Sequence, residues 1–310
     1  MSKDRPTNIA ASVRSRLMNQ ARQNAEAFDL ILLRYALERF LYRVSESEHR
    51  DRFVLKGAML FQVWGGQVHR PTRDLDLLGN GNPDPGDFTR VIQDICETSV
   101  QDDGMNFQSN TVRAESMKED EEYQGIRLKF NALLQSARVP IQIDVGFGDA
   151  ITPSAEAINY PTLLDFPAPA IKAYPQETVV TEKFQAMVKL GIANSRMKDF
   201  FDIWTICQRY EFNGQLLGKA IAVTFERRQT QIPIAKPLAL SDEFANDSQK
   251  QVQWKAFLNK NKLSTGNENF RGITSQLELF LMPIANSLAS DKTIDLSWRV
   301  GGPWTNHPST

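Results

Sequence analysis

The stretch HRPTRDLDLLGNGN, residues 69–82, sets Asp74 and Asp76 two positions apart between leucines, just before a glycine-rich turn. In an extended strand, residues i and i+2 share a face. Leu75 and Leu77 then point to a core, while both carboxylates project together from the other side. Two like charges that close each raise the cost of ionising the other. A bound divalent cation removes the conflict; a solvated strand end leading into a turn is the alternative. What the rest of the chain brings to this strand decides between them.

A second strand carries the same kind of residue. In IQIDVGF (141–147), Ile141, Ile143 and Val145 fall on one face and Gln142 and Asp144 on the other. A carboxylate in an otherwise apolar strand is costly to bury without a partner. Laid beside RDLDLL, it places Asp144 as a third carboxylate near Asp74 and Asp76. Three carboxylates on adjacent strands can hold two magnesium ions, the arrangement used for in-line phosphoryl or nucleotidyl displacement. FVLKGAMLFQVW (53–64) predicts a strand, a tight turn and a helix opening at Gly57-Ala58, after Lys56. The free backbone N–H groups of such a helix start are a natural phosphate seat.

Around these strands the chain reads as mixed α and β. Residues 8–44 carry helical spacing, with Ile9, Val13 and Leu17 at i, i+4 and i+8. The apolar helix FDLILLRYALERFLYRV follows, with Arg34, Arg39 and Arg43 between its apolar positions. PGDFTRVIQDICETSV predicts a helix with Phe88, Val91, Ile92 and Ile95 on one face. YQGIRLKFNALL (123–134) and RVPIQIDVGFGD (138–149) read as paired strands. ITPSAEAINYPTLLDFPAPAIKAYP is proline-rich and reads as an extended linker over the surface. QETVVTEKFQAMVKLG is then a helix closed by Gly191. NSRMKDFFDIWTICQRY is another, with Asn194 or Ser195 as N-cap and Phe200, Ile203, Trp204 and Cys207 as its buried stripe. Residues 214–290 look mainly helical.

Length agrees with this division, because 310 residues exceed the usual ~100–200 per domain. The expected organisation is an α+β core with N-terminal helices over 1–150, a linker over 151–175, and a helical C-terminal domain over 176–310. Net charge is −1, so no global basic field advertises nucleic acid, and such contacts must come from local patches. Arg14, Arg16, Arg227 and Arg228 form two basic pairs, read either as solvated faces or as contacts to a phosphate backbone. Cys96 and Cys207 suit reduced core thiols better than a disulfide framework. With no apolar signal-peptide core and no run of membrane-spanning length, a cytoplasmic protein is expected.

At these motifs the chain resembles a known family. KGAMLFQVWGG and HRPTRDLDLL resemble the glycine-rich helix start and acidic strand of the DNA polymerase beta-like nucleotidyltransferase superfamily. TEKFQAMVKLGIANSRMKDFFDI is similar to the second signature of the AbiEii/AbiGii toxin family within it, the toxin half of type IV toxin–antitoxin and phage abortive-infection systems. The likeness extends over about residues 50–210. It implies a polymerase beta-like nucleotidyltransferase core with a mixed sheet, and two lobes that clasp an NTP. Asp74 and Asp76 would bind both metals, Mg2+ or Mn2+. Asp144 would take the one nearer the acceptor hydroxyl and help to deprotonate it. Lys183 would reach the triphosphate and Asp199 would be an additional essential acid. Lys56, Gly57, Ala58, Arg70 and Lys198 match nucleotide-binding or flanking positions, and Asp202 another flanking one. The implied reaction moves NMP from an NTP to an RNA 3′ end, tRNA being the leading acceptor, and a cognate antitoxin is an implied partner.

One departure stands out. Superfamily members often carry Gly-Ser or Gly-Gly at the helix start, whereas this chain has Gly57-Ala58, so phosphate binding there would rest on backbone N–H groups. Several alternatives stay open at this stage. Glu182 and Lys183 could be a solvated helix face, and Arg196, Lys198, Asp199 and Asp202 could be surface pairs along one helix. The enzyme could instead modify a protein hydroxyl or transfer phosphate as a kinase does, or the chain could be a non-catalytic nucleotide-binding partner. Other motifs are excluded. DLDLLGNGNPDP has Leu78 and Pro85 where a calcium loop needs ligands, GFG lacks the third glycine of a dinucleotide fingerprint, and there is no Walker A sequence. His49, His69 and His307 lack zinc-ligand spacing.

Overall fold

The structure, a computed structural model, describes residues 8–65, 70–120, 123–290 and 292–306. Gly66, His69 and His307, which enter the sequence reading, lie outside the described residues. The chain divides into two compact units, residues 1–148 with 156–174, and residues 149–155 with 175–310.

The first unit opens with α1 (Ile9–Gln23) and α2 (Phe28–Glu46). Asn8 caps α1 by accepting a hydrogen bond from the Ala11 N–H at 2.9 Å, and Val13, Leu17 and Ala21 form its buried stripe. Next come β1 (Phe53–Lys56), α3 (Leu60–Gly65), β2 (Leu75–Gly79) and α4 (Pro85–Glu97). The last is capped by Asp84 and buries Phe88, Val91, Ile92 and Ile95, as their spacing predicts. Then follow β3 (Met105–Asp120), β4 (Tyr123–Leu134), β5 (Ala137–Phe147), β6 (Glu156–Asn159) and β7 (Ala170–Ala173). They join β1 and β2 in a seven-stranded mixed sheet of order β3-β4-β5-β2-β1-β7-β6. The fold class is α+β, as expected.

Two parts of this unit differ from the sequence reading. The long strand β3 is not apparent in the sequence. A register shift between Gln108 and Arg113 breaks its alternation, and a bulge of this kind erases the period of two on which such a reading depends. The proline-rich stretch is extended, but its course is not superficial. There β7 pairs parallel with β1, Leu55 opposite Ala173, and Tyr160, Leu164, Ile171 and Tyr174 are buried. Helix polar groups pin it. The Leu163 N–H donates to Glu38 Oε2 at 2.7 Å, Gln20 Nε2 donates to the Leu163 carbonyl at 2.8 Å, and Arg39 Nη2 donates to the Pro167 carbonyl at 2.8 Å. Pro167 lacks an N–H donor and is held through its carbonyl, whereas Leu163 is held through both its N–H and its carbonyl.

These contacts belong to a buried ionic cluster under α2. Arg43 forks onto Asp103 at 2.7 and 3.1 Å, while Arg39 Nε lies 3.6 Å from both Glu38 and Asp103. Desolvation pushes the Glu38 carboxyl from its ordinary 4.5 up to about 7, against the opposing effects of the Leu163 N–H and Arg39. Its folded pKa therefore lies above its unfolded one. Glu38 favours folding below about pH 4.5, and that contribution is lost as pH rises towards 7. The loss amounts to about 3 kcal/mol. Glu38→Gln keeps an acceptor for the Leu163 N–H and should flatten the stability profile across this window, measured by urea unfolding at a series of pH values. Parallel profiles for the two proteins would place the titrating group elsewhere.

The second unit contains α5 (Gln176–Leu190), α6 (Met197–Arg209), β8 (Phe212–Asn213), α7 (Gly214–Arg227), α8 (Asp242–Asn246), α9 (Ser248–Asn261), α10 (Phe270–Ala289), β9 (Leu296–Trp298) and β10 (Trp304–Asn306). It is mainly helical, as expected, with a small antiparallel sheet of order β10-β9-β8 that the sequence reading lacks. Phe200 stacks on Phe244, and Trp254 on Phe270. The N-cap of α6 is Arg196 rather than Asn194 or Ser195. Asn194 still contributes, its Oδ1 accepting from the Arg196 N–H at 2.8 Å. Phe200, Ile203 and Cys207 are buried on α6, whereas Trp204 is only partly so. Cys96 and Cys207 are both buried free thiols, each pushed up to about 12 chiefly by burial. Among the described residues, no helix is long and apolar enough to cross a membrane.

Candidate active site

Sheet register assembles the site within the first unit. Strands β2 and β5 run parallel with Leu75 opposite Ile143, Asp76 opposite Asp144 and Leu77 opposite Val145. The four apolar residues are fully buried on one face. Asp74, Asp76 and Asp144 occupy the other, each partly exposed, with one carboxylate oxygen apiece all within 4.8 Å of one another. That is the arrangement the alternation predicts. Among the described residues it is also the one group of three or more acidic, histidine or cysteine side chains close enough to share a metal ion. Clustered hard oxygen donors fit magnesium or manganese and do not favour softer metals.

Each carboxylate is held differently. Thr72 Oγ1 donates to Asp74 Oδ1 at 2.7 Å. Asp76 lies opposite Lys56 on the antiparallel strand β1, and its carboxylate packs against the backbone of Gly57. A Cβ at Gly57 would lie 2.7 Å from the Asp76 Cβ and Cγ atoms. Gly57 also has φ +75°, a conformation that favours glycine. The glycine is thus required twice, by backbone conformation and by the carboxylate beside it. Asp144 accepts a two-pronged contact from Arg127, Nε to Oδ1 at 2.8 Å and Nη2 to Oδ2 at 2.7 Å. That contact is the main reason the Arg127 pKa is raised.

The sequence reading missed Arg127 and Thr72. Arg127 lies on a strand it paired correctly, between the buried Ile126 and Leu128, so its polar face was legible. Its position opposite Asp144 depends on the register of β4 against β5.

The remaining candidates fall in two groups. Lys56, Gly57 and Ala58 stand at the turn from β1 to α3, a short 3₁₀ turn over Gly57–Met59. The Lys56 ammonium sits 5.4 Å from the Tyr174 ring centroid. Arg70 lines a cavity with Arg34, Gln62 and Tyr160, and Thr72, which holds Asp74, is part of the same wall. Lys183, Lys198 and Asp199 belong to the second unit. There Lys183 Nζ contacts Asp199 Oδ1 at 2.5 Å and Asp202 Oδ2 at 2.9 Å. Lys183 keeps only 14% side-chain exposure, Asp199 5% and Asp202 1%. These residues are therefore neither a solvated face nor pairs along one helix; they form a buried ion cluster joining α5 to α6. Lys198 is exposed. Arg228 donates to Asp149 at 2.7 Å and Gln185 at 3.1 Å; Arg14 and Arg227 are exposed.

Two solved structures are similar to this chain. One, a candidate nucleotidyltransferase from H. pylori, is 12% identical, covers 85% of this chain and 98% of its own, and has a TM-score of 0.49. The other, JHP933 from Helicobacter pylori, is 13% identical over 83% of this chain and 92% of its own, with a TM-score of 0.47. No curated protein matches. The family profile described as "Nucleotidyl transferase AbiEii toxin, Type IV TA system" matches residues 39–274, well over half of the chain, and takes in the acidic strands and the α5–α6 ion cluster. The chain belongs to the nucleotidyl transferase AbiEii toxin family of type IV toxin–antitoxin systems.

Proposed function

We propose that this toxin nucleotidyltransferase is metal-dependent and transfers NMP from an NTP to the 3′-hydroxyl of an RNA, with the tRNA acceptor end as the first substrate to test. The carrying observation is the trio Asp74, Asp76 and Asp144 on adjacent strands, with oxygens within 4.8 Å. These residues would hold Mg2+ or Mn2+, which would offset charge on the attacking and leaving oxygens. The acceptor oxygen bonds to the α-phosphorus, the bond to the β-phosphate bridging oxygen breaks, and pyrophosphate leaves. Asp144 is assigned to the acceptor side, where it helps take the hydroxyl proton. Gly57 and Ala58 offer backbone N–H groups to phosphate, and Lys56 and Arg70 add positive charge. For Lys183, Asp199 and Lys198, the support is the family resemblance, which assigns them to the nucleotide. Blocking the tRNA end stops translation and accounts for toxicity, and a cognate antitoxin is the expected protein partner.

Incubation with each NTP in turn, labelled on the α- or γ-phosphate, with magnesium and total RNA, tests this directly. Transfer of α-label into RNA is the expected outcome, absent in Asp76→Ala. Alpha-label on protein would make the enzyme a protein-modifying nucleotidyltransferase, and transfer of γ-label a kinase. No transfer from any NTP would leave a non-catalytic nucleotide-binding partner.

A further inference from the structure

Asp144, one of the three clustered carboxylates, has the Arg127 guanidinium forked across it. Both its oxygens accept from Arg127, at 2.8 and 2.7 Å, and Gln142 Nε2 lies 3.4 and 3.3 Å away from the same pair. The contact is set by the backbone, because Arg127 and Asp144 are direct partners across β4 and β5. A planar guanidinium matched to a carboxylate in this way is among the strongest polar contacts available to a side chain. Yet Asp144 is also one of the three residues whose oxygens converge within 4.8 Å. A divalent cation shared by the trio therefore approaches the same carboxylate that Arg127 already neutralises. Arg127 retains 34% side-chain exposure against 15% for Asp144, so the guanidinium is the partner with water to turn into.

We infer that Arg127 is a built-in counter-ion for Asp144, holding that carboxylate in place in the metal-free protein and competing with the divalent cation for it. Arg127 is a positioning residue: it acts on the reaction through Asp144 and sets how tightly the carboxylate trio takes metal. The inference rests on the metal-dependent reading above. It has two consequences. Without metal, Arg127 relieves repulsion among three clustered negative charges. With metal, it opposes loading, since two cations then crowd one carboxylate.

Mn2+ titration of the full chain, by calorimetry and by electron paramagnetic resonance, tests this in wild type, Asp76→Ala, Arg127→Gln and Arg127→Lys. Arg127→Gln should bind Mn2+ about tenfold more tightly than wild type, from relief of cation repulsion. It should also melt at a lower temperature than wild type in EDTA, a loss that saturating Mn2+ reverses. Arg127→Lys, which keeps the charge but not the fork, should fall between. Wild-type binding that disappears in Asp76→Ala upholds the metal reading by itself. Given that binding, Mn2+ affinity in folded Arg127→Gln equal to or weaker than wild type overturns the inference alone. Where Arg127→Gln does not fold, Arg127→Lys carries the test, and an affinity no tighter than wild type overturns it. If neither wild type nor the Arg127 variants bind Mn2+, the metal reading falls and the inference with it.

Discussion

Asp76→Ala is expected to abolish nucleotide transfer and any growth inhibition while leaving the fold intact. Its carboxylate is central to the trio, opposite Asp144 on one side and Lys56 on the other. Its neighbours Leu75 and Leu77 are fully buried and hold the strand without it. Removing one of three clustered like charges relieves repulsion in the metal-free protein. The alanine leaves unfilled the small space the carboxylate occupies against Gly57. A metal ion's stabilisation of transition-state charge is worth several kcal/mol, so its loss lowers the rate on the order of a thousandfold or more. Transfer rate, Mn2+ binding and thermal melting of the purified variant, with growth of cells expressing it, provide the check. Full toxicity in a stable, normally folded Asp76→Ala protein would end the catalytic account of this strand.

Lys183→Met should have the largest effect on stability, because of what it leaves behind. Asp199 and Asp202 are almost wholly buried and both face the Lys183 ammonium. Without it, two carboxylates confront each other away from water. Removing one partner of a buried ion pair costs about 3–5 kcal/mol, mostly as the penalty on the stranded charge. Tryptophan fluorescence during urea unfolding suits the measurement, since Trp204, Trp254, Trp298 and Trp304 all lie in the second unit and only Trp64 in the first. Adding Asp202→Asn to Lys183→Met should restore much of the loss, as it removes one stranded charge. A loss below about 1 kcal/mol in the single variant would mean that the cluster is solvated after all. The double variant is also the protein in which to measure NTP affinity. In the single one, a weakened fold and a lost phosphate contact would be read together.

What the sequence determined by itself is what short-range periodicity encodes. Side chains alternate along a strand, so Asp74 and Asp76 fall on the face opposite Leu75 and Leu77, and Asp144 on the face opposite Ile141, Ile143 and Val145; that the three carboxylates meet depends on the pairing of β2 with β5. Helical spacing likewise located α1, α2, α4, α5 and α6. Tertiary structure decided whatever depends on which distant segments meet. The register of β4 on β5 put Arg127 across from Asp144, and nothing within YQGIRLKFNALL specifies that offset. The bulge in β3 hid a long strand by shifting its faces midway. Packing of α5 on α6 turned Lys183, Asp199 and Asp202 from charges that local spacing reads as solvated into a buried cluster. Local spacing says which face of its element a side chain occupies. Whether that face meets water, an apolar core or an opposite charge is set by long-range packing, because burial and charge pairing are properties of the neighbours the fold supplies.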